Sequence, residues 1–365
     1  MIALKAFDCA LPRRHWLSLV FLSVAMSALS ASHGLAGTAF HDSIYGVSTT
    51  SNLVYGTGSI NGGAGSLNLT LDLYRPVDIG QGALPASSPG IVFIHGGAWQ
   101  TGSKTDSYAV QFGSIFASLG YVVTSINYRM LGNNVPETHG PADAMDLSNV
   151  PTAAQGGFDL PQPLTSWTIN ASIEDAAQAM GWMRDNAATY HIDPAHIAIG
   201  GASAGAIDSL VLAYSNPAAH VAPQAVISYV GALPGIESAL IQADDKTPAF
   251  VINGSADPLI QLTYPQAMVD RMNAMGVYNE FYVQQGVGHT VNLNLVFGGK
   301  TLLQHNIDFL ATHLVPEPTG LALAGIGAVA LLVMSRRRAS KRLKSAYRPS
   351  IGAEEQRAET AFAGR

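Results

Sequence analysis

Cysteine is all but missing from this chain. The only one among 365 residues is Cys9, close to the N-terminus, so beyond it disulfides, thiolate metal sites and cysteine nucleophiles are excluded. Charge is scarce too, at 12% of residues, and basic charge is scarcest in the middle. Between Gly37 and Glu317 there are seven Lys and Arg against twenty-one Asp and Glu. A body this acidic argues against nucleic acid as a partner. No histidine–carboxylate group has metal-ligand spacing, and His95-Gly96-Gly97 is not the G-x-G-x-x-G of a phosphate-cradling loop. No metal and no cofactor are expected. What is plentiful is apolar residues, at 48%, ample for one large core.

The basic residues are gathered at the two ends, where they address membranes. Residues 1–36 read as a secretory signal peptide: Lys5, Arg13 and Arg14, then the apolar run Trp16 to Leu29, then Gly34-Leu35-Ala36 as a small-residue cleavage site. The run is short for a full span, and Cys9 precedes it, the wrong place for a lipoprotein cysteine. At the other end Val315-Pro316-Glu317-Pro318 leads into Thr319 to Ser335, which carries no charge, and then Arg336-Arg337-Arg338. A short apolar helix stopped by arginines reads as a transmembrane segment, 319–335, with its basic end inside. The order of parts over 316–338 resembles the PEP-CTERM sorting signal of certain Gram-negative bacteria. That resemblance implies anchoring in the inner membrane until an exosortase-like enzyme acts near the Pro-Glu-Pro. Unlike such signals, the chain runs on through a basic to mixed tail, 339–365, expected to be cytoplasmic; a plain C-terminal anchor is the alternative. Either way residues 37–315 are expected outside the cytoplasm, on the periplasmic or cell-surface side.

Within 37–315, apolar runs alternate with helical patterns. Residues 38–68, rich in Ser, Thr, Gly and Asn, read as a loosely ordered start with an early strand around Asn52 to Tyr55. Leu69 to Tyr74 alternates as a strand. Ile91-Val92-Phe93-Ile94 is continuously apolar, the mark of a strand buried on both faces. Strands are further expected at Tyr121–Tyr128, His196–Gly200, Ala225–Gly231, Ala249–Asn253 and Asn279–Gln284. Helices are expected at Asp106–Leu119, Ala171–Tyr190, Thr263–Gly276 and Leu302–Leu314. This alternation predicts an α/β protein with a mostly parallel sheet covered by helices on both faces. Residues 131–170 break the rhythm and read as a lid-like insert roofing a pocket.

The chemistry centres on Gly201-Ala202-Ser203-Ala204-Gly205, the G-x-S-x-G form of a nucleophile elbow between a strand and a helix. A serine hydroxyl needs a base within hydrogen-bond reach, a group to orient that base, and donors for the oxyanion. In a parallel sheet such groups follow the carboxyl ends of strands. Asp257 follows one strand and His289 the last, in the order Ser, Asp, His. Asp244 and Asp245 precede their strand and sit at its wrong end. His305 and His313 lie on the closing helix, His139 lies in the insert, and His95 is expected to shape its loop. Trp99, Tyr108, Tyr128 and Trp167 are candidate pocket residues or simple packing.

By these residues the chain resembles the α/β-hydrolase superfamily, and within it bacterial esterases related to hormone-sensitive lipase and to the acetyl-xylan and feruloyl esterases. Leu71 to Pro76, the HGGAW run at 95–99, Asn127-Tyr128-Arg129, His191 to Pro194, the elbow, Asp257 and His289 carry the resemblance, over roughly residues 69–313. Ala206 stands where this group often has glycine. The resemblance implies Ser203 as nucleophile, His289 as base, Asp257 as orienting acid, and Gly96, Gly97 and Ala204 as oxyanion donors. It implies an exported serine esterase acting on a small-molecule or carbohydrate ester, acetyl and aromatic esters included. A serine peptidase of the same fold and a non-catalytic surface binding module are the alternatives.

Overall fold

The computed structural model describes residues 39–146 and 162–315, the side chains of 162–165 excepted. The leader 1–36, the insert residues 147–161 and everything from 316 on, with the sorting signal and its segment 319–335, lie outside the described residues. Among the described residues no helix is long and apolar enough to cross a membrane.

Eight strands form one sheet: β1 (Gly46–Ile60), β2 (Gly65–Val77), β3 (Ser88–Ile94), β4 (Val122–Ile126), β5 (Ile192–Ala202), β6 (Val226–Tyr229), β7 (Ala249–Gly254) and β8 (Asn279–Gln284). Their order is β1-β2-β4-β3-β5-β6-β7-β8. The β1–β2 and β2–β4 pairs are antiparallel; from β4 through β8 every pair is parallel. All seven residues of β3 are buried, as a strand covered on both faces requires. Its side chains alternate between two apolar clusters. Val92 and Ile94 join one with helices α2 (Gln162–Asp185), α3 (Ala204–Tyr214) and α4 (Thr263–Met275). Ile91 and Phe93 face the other, with α1 (Ser107–Leu119) and α5 (Leu302–Leu314). The parallel strands send their carboxyl ends to one edge of the sheet, and there the loops after β3, β5, β7 and β8 meet.

Two segments differ from expectation. The polar stretch 38–68 is not a loose start: β1 and β2 form a long hairpin paired from Gly46↔Val77 to Ile60↔Gly65. Strand β1 is an edge strand with a half-exposed face, so Ser, Thr and Gly there cost no core packing while one side of the backbone pairs with β2, with register shifts at Thr50/Leu53 and Val54/Gly56. Helix α2 begins at Gln162, inside the insert. Burial of Ser166, Thr168, Ile169 and Asn170 overrides the middling helix propensity of these residues. Asn170 ties the insert down: its Oδ1 accepts the Ala142 N–H at 3.0 Å, and its Nδ2 donates to Asp143 Oδ1 and the Thr138 carbonyl, each at 3.0 Å. Beside it the Arg129 guanidinium meets Asp175 Oδ1 at 2.8 Å in a buried ion pair.

Candidate active site

Ser203 is the single residue between β5 and α3. Its backbone stands at φ 53, ψ −117, a region that a residue with a Cβ adopts only under constraint. The constraint is the close approach of the elbow to β3. A Cβ on Gly205 would lie 2.2 Å from the Ile94 carbonyl oxygen, so only glycine fits there. The Ser203 N–H donates to the Tyr229 carbonyl at 2.8 Å, and its carbonyl accepts from the Ala206 and Ile207 N–H groups at 3.0 Å each. The turn is held from both sides and the side chain projects from it.

The Ser203 hydroxyl lies 2.8 Å from His289 Nε2, and His289 Nδ1 lies 2.8 Å from Asp257 Oδ2. A carboxylate oxygen only accepts, so Nδ1 carries the proton and Nε2 is free to accept from the serine. The Asp257 side chain is fully buried. Its other oxygen, Oδ1, accepts the Leu259 and Ile260 N–H groups at 2.8 and 2.9 Å, which fixes the carboxylate plane. The two loops meet because β7 ends in glycine: a Cβ on Gly254 would sit 2.2 Å from the Val287 carbonyl oxygen. The other candidate groups are engaged elsewhere. Asp245 accepts the Gln242 N–H, His305 is bonded to the Phe297 carbonyl, and His139 lies between Glu137 and Asp143.

The loop after β3 does not supply all of the expected donors. The Gly96 N–H donates to the Tyr108 hydroxyl, so it is not free for an oxyanion, a role the sequence assigned to it. Gly97 and Ala204 both border the cleft with Ser203, and their N–H groups have no acceptor among the described residues. The next residue, Ala98, missed in the sequence, has the same unpaired N–H and borders the same cleft. Three successive positive φ angles, 117 at Gly97, 53 at Ala98 and 56 at Trp99, turn this loop, and no sequence pattern announces two of them at non-glycine residues. His95 shapes the loop, as expected. Its ring is buried, stacks on Tyr128 with centroids 4.4 Å apart, and bonds the Gly96 carbonyl through Nδ1 at 2.7 Å. Burial holds it below the ordinary histidine range.

The cleft over Ser203 has a volume of about 890 Å³. One wall is the face of α1 carrying Tyr108, Phe112 and Ile115, and the other is the segment after His289, with Val291 and Leu293. Of the expected pocket residues, Trp99 borders the cleft. It is nearly buried and donates from Nε1 to Asp208 at 2.9 Å. Tyr128 stands behind the loop, its hydroxyl on the His95 carbonyl at 3.1 Å, and Trp167 is not part of the lining. No described residue of the insert 131–170 borders the cleft. The insert packs along α2 and the β1–β2 hairpin, where the Gly62 N–H reaches the Asn134 carbonyl at 2.8 Å, and at Asp146 it reaches the Pro234 carbonyl at 2.9 Å and the Tyr264 hydroxyl at 3.1 Å. Among the described residues no group of three or more His, Cys, Asp and Glu is placed to hold a metal ion.

Known structures share this architecture. A truncated carbohydrate esterase from gut microbiota aligns with a TM-score of 0.50 at 18% identity, over 75% of this chain and 99% of that one. The propionate-bound esterase 2 of the planctomycete Thermogutta terrifontis aligns with a TM-score of 0.50 at 21% identity, over 74% and 97%. The fold is the α/β-hydrolase fold. The hydrolase core also carries the sequence likenesses. The BD-FAE family model matches residues 71–150 and 163–230. Esterase LipQ of Mycobacterium tuberculosis is 24% identical over 304 residues, 72% of this chain and 62% of that protein. Para-nitrobenzyl esterase of Bacillus subtilis is 30% identical over 145 residues, 40% of this chain and 24% of that protein. The chain thus spans less than two thirds of the length of either curated relative.

Proposed function

We propose that this chain is a serine hydrolase of carboxylic esters working through an acyl-enzyme. The observation that carries the reading is the hydrogen-bonded chain Ser203–His289–Asp257, with 2.8 Å at both links. The hydroxyl oxygen of Ser203 attacks the ester carbonyl carbon while its proton passes to His289 Nε2. Asp257, anchored by two backbone N–H groups, keeps Nδ1 protonated and stabilises the imidazolium. The N–H groups of Gly97, Ala98 and Ala204 receive the negative charge on the former carbonyl oxygen. His289 returns the proton to the departing alcohol. Water then repeats the sequence on the acyl-enzyme and frees the acid. The esterase names of both curated relatives and the BD-FAE match support this reading.

Acetyl or aromatic esters on carbohydrate are the proposed substrates. They suit an exported enzyme with a sorting tail resembling those of polysaccharide-producing bacteria. We also propose that residues 37–315 work on the periplasmic or cell-surface side, held at least transiently in the inner membrane until an exosortase-like enzyme acts. Hydrolysis of aryl acetate and butyrate esters tests the chemistry. Wild type turns over and is labelled by a fluorophosphonate probe. Ser203→Ala does neither, and full activity in that variant sinks the assignment. Protease accessibility in intact spheroplasts tests the location.

A further inference from the structure

Gly96 N–H, lost to the oxyanion, leads to a residue with no assigned role. Its acceptor is the hydroxyl of Tyr108, in the first turn of α1. That hydroxyl accepts from Gly96, and its own proton has no acceptor among the described residues. Tyr108 borders the cleft together with Ser203 and His289. The loop carries it close to the nucleophile: a Cβ on Gly96 would lie 3.1 Å from Ser203 Cβ. The ring is set by an edge contact with Phe93, centroids 6.3 Å apart.

We propose that the Tyr108 hydroxyl is a catalytic residue, donating a side-chain hydrogen bond to the substrate's carbonyl oxygen as it becomes an oxyanion. The proposal rests on the serine hydrolase reading above. The Gly96 N–H contributes indirectly. By donating to the phenolic oxygen it polarises the O–H bond and strengthens the outgoing donation, as in any hydrogen-bonded chain. No proton changes owner. As Ser203 Oγ bonds to the carbonyl carbon, the carbonyl π pair moves to oxygen, and the Tyr108 proton stays on the phenol. Tyr108 is 37% exposed, but desolvation of its hydroxyl end, opposed by the Gly96 N–H and aided by the Asp106 carboxylate, pushes it up to about 12, so the donor keeps its proton throughout the working range of a serine–histidine pair.

The test uses the full-length chain and aryl butyrate hydrolysis. Tyr108→Phe keeps the ring and removes the donor. Loss of one such donor costs up to about 10²–10³ in turnover, so kcat is expected to fall roughly 10- to 100-fold with KM little changed. A tyrosine that only props Gly96 is told apart by difluorotyrosine at position 108. That residue keeps the shape and both hydrogen-bonding roles but makes the phenol more acidic. A donor then shows the alkaline limb of kcat moved to lower pH, whereas a prop leaves the pH profile where it was. If Tyr108→Phe fails to fold, the fluorinated protein decides alone. Ser203→Ala runs in parallel. Activity persisting there overturns the triad reading. An inactive Ser203→Ala with an unmoved pH limb at 108, or with wild-type kcat in Tyr108→Phe, overturns the role of Tyr108 only.

Discussion

Replacing Asp208 with asparagine will make this protein more stable near neutral pH. Asp208 sits in the first turns of α3 and is completely buried. Oδ1 accepts the Trp99 indole N–H at 2.9 Å, and Oδ2 accepts no hydrogen bond among the described residues, the nearby Ser172 hydroxyl donating to the Ile169 carbonyl instead. Burial pushes the carboxyl up from 3.8 to about 8, with the nearby Asp175 adding to the rise. The folded state therefore holds a proton that the unfolded chain has released. The stability this contributes is complete below about pH 4, falls as pH rises towards 8, and is flat beyond. At about 1.4 kcal/mol per unit the whole span is roughly 6 kcal/mol, and about three quarters of it is gone by pH 7. Asparagine is neutral throughout, so the slope disappears. Its amide nitrogen, placed where Oδ2 was, lacks an acceptor at a cost of about 1–3 kcal/mol. Asp208→Asn should gain about 2–3 kcal/mol at pH 7 and cross the wild type between about pH 5 and 6. Urea unfolding followed by tryptophan fluorescence at pH 5, 6, 7 and 8 measures both. A stability difference that stays constant across that range would refute the reasoning, because it would mean that Asp208 is ionised in the fold.

Other substitutions probe the site and its frame. Asp257→Asn removes the acceptor that fixes the His289 tautomer, and kcat should fall by about 10⁴ with KM nearly unchanged; steady-state kinetics measures the split. Gly205→Ala forces a Cβ onto the Ile94 carbonyl at 2.2 Å and should cost several kcal/mol as well as activity. Gly286→Ala faces open space at φ 71 and should cost only about 1 kcal/mol, which paired thermal melts will show. Arg129→Ala strands the Asp175 carboxylate, whose side chain is fully buried, and should lower the urea midpoint by the equivalent of about 3–5 kcal/mol.

The buried strands and the amphipathic helices were legible because their patterns are local. Strand β8 and helix α5 begin and end where the sequence placed them. The members of the Ser–His–Asp chain were legible because each follows a strand end in a glycine-bearing loop. What escaped is set by tertiary partners that no local pattern shows. The polar composition of β1 gave no sign that the strand starting at Gly65 would fold back and pair with it from Ile60 to Gly46. The start of α2 depends on burial of Ser166 and Asn170 against the insert, which no local propensity reveals. The insert was expected over the cleft because it interrupts the chain between two site loops. In space its described part runs from the β1–β2 hairpin, at Asn134, to the loop after β6, where the Asp146 N–H meets the Pro234 carbonyl, without bordering the cleft. The occupation of Gly96 depends on a tyrosine twelve positions on, on the helix that follows the turn.

The order of the strands in the sheet has a consequence for how the molecule comes into being. The segment with Ser203 is made well before the one with His289, and β8 joins only as the last strand, on the far side of β7. The β7–β8 pairing, Ala249 with Asn279, closes a short loop, so β8 joins late because it is made late. A nascent chain can thus hold a nearly finished sheet and yet have a serine with no base. On the proposed reading, activity requires the final edge strand and the His289 loop to be in place.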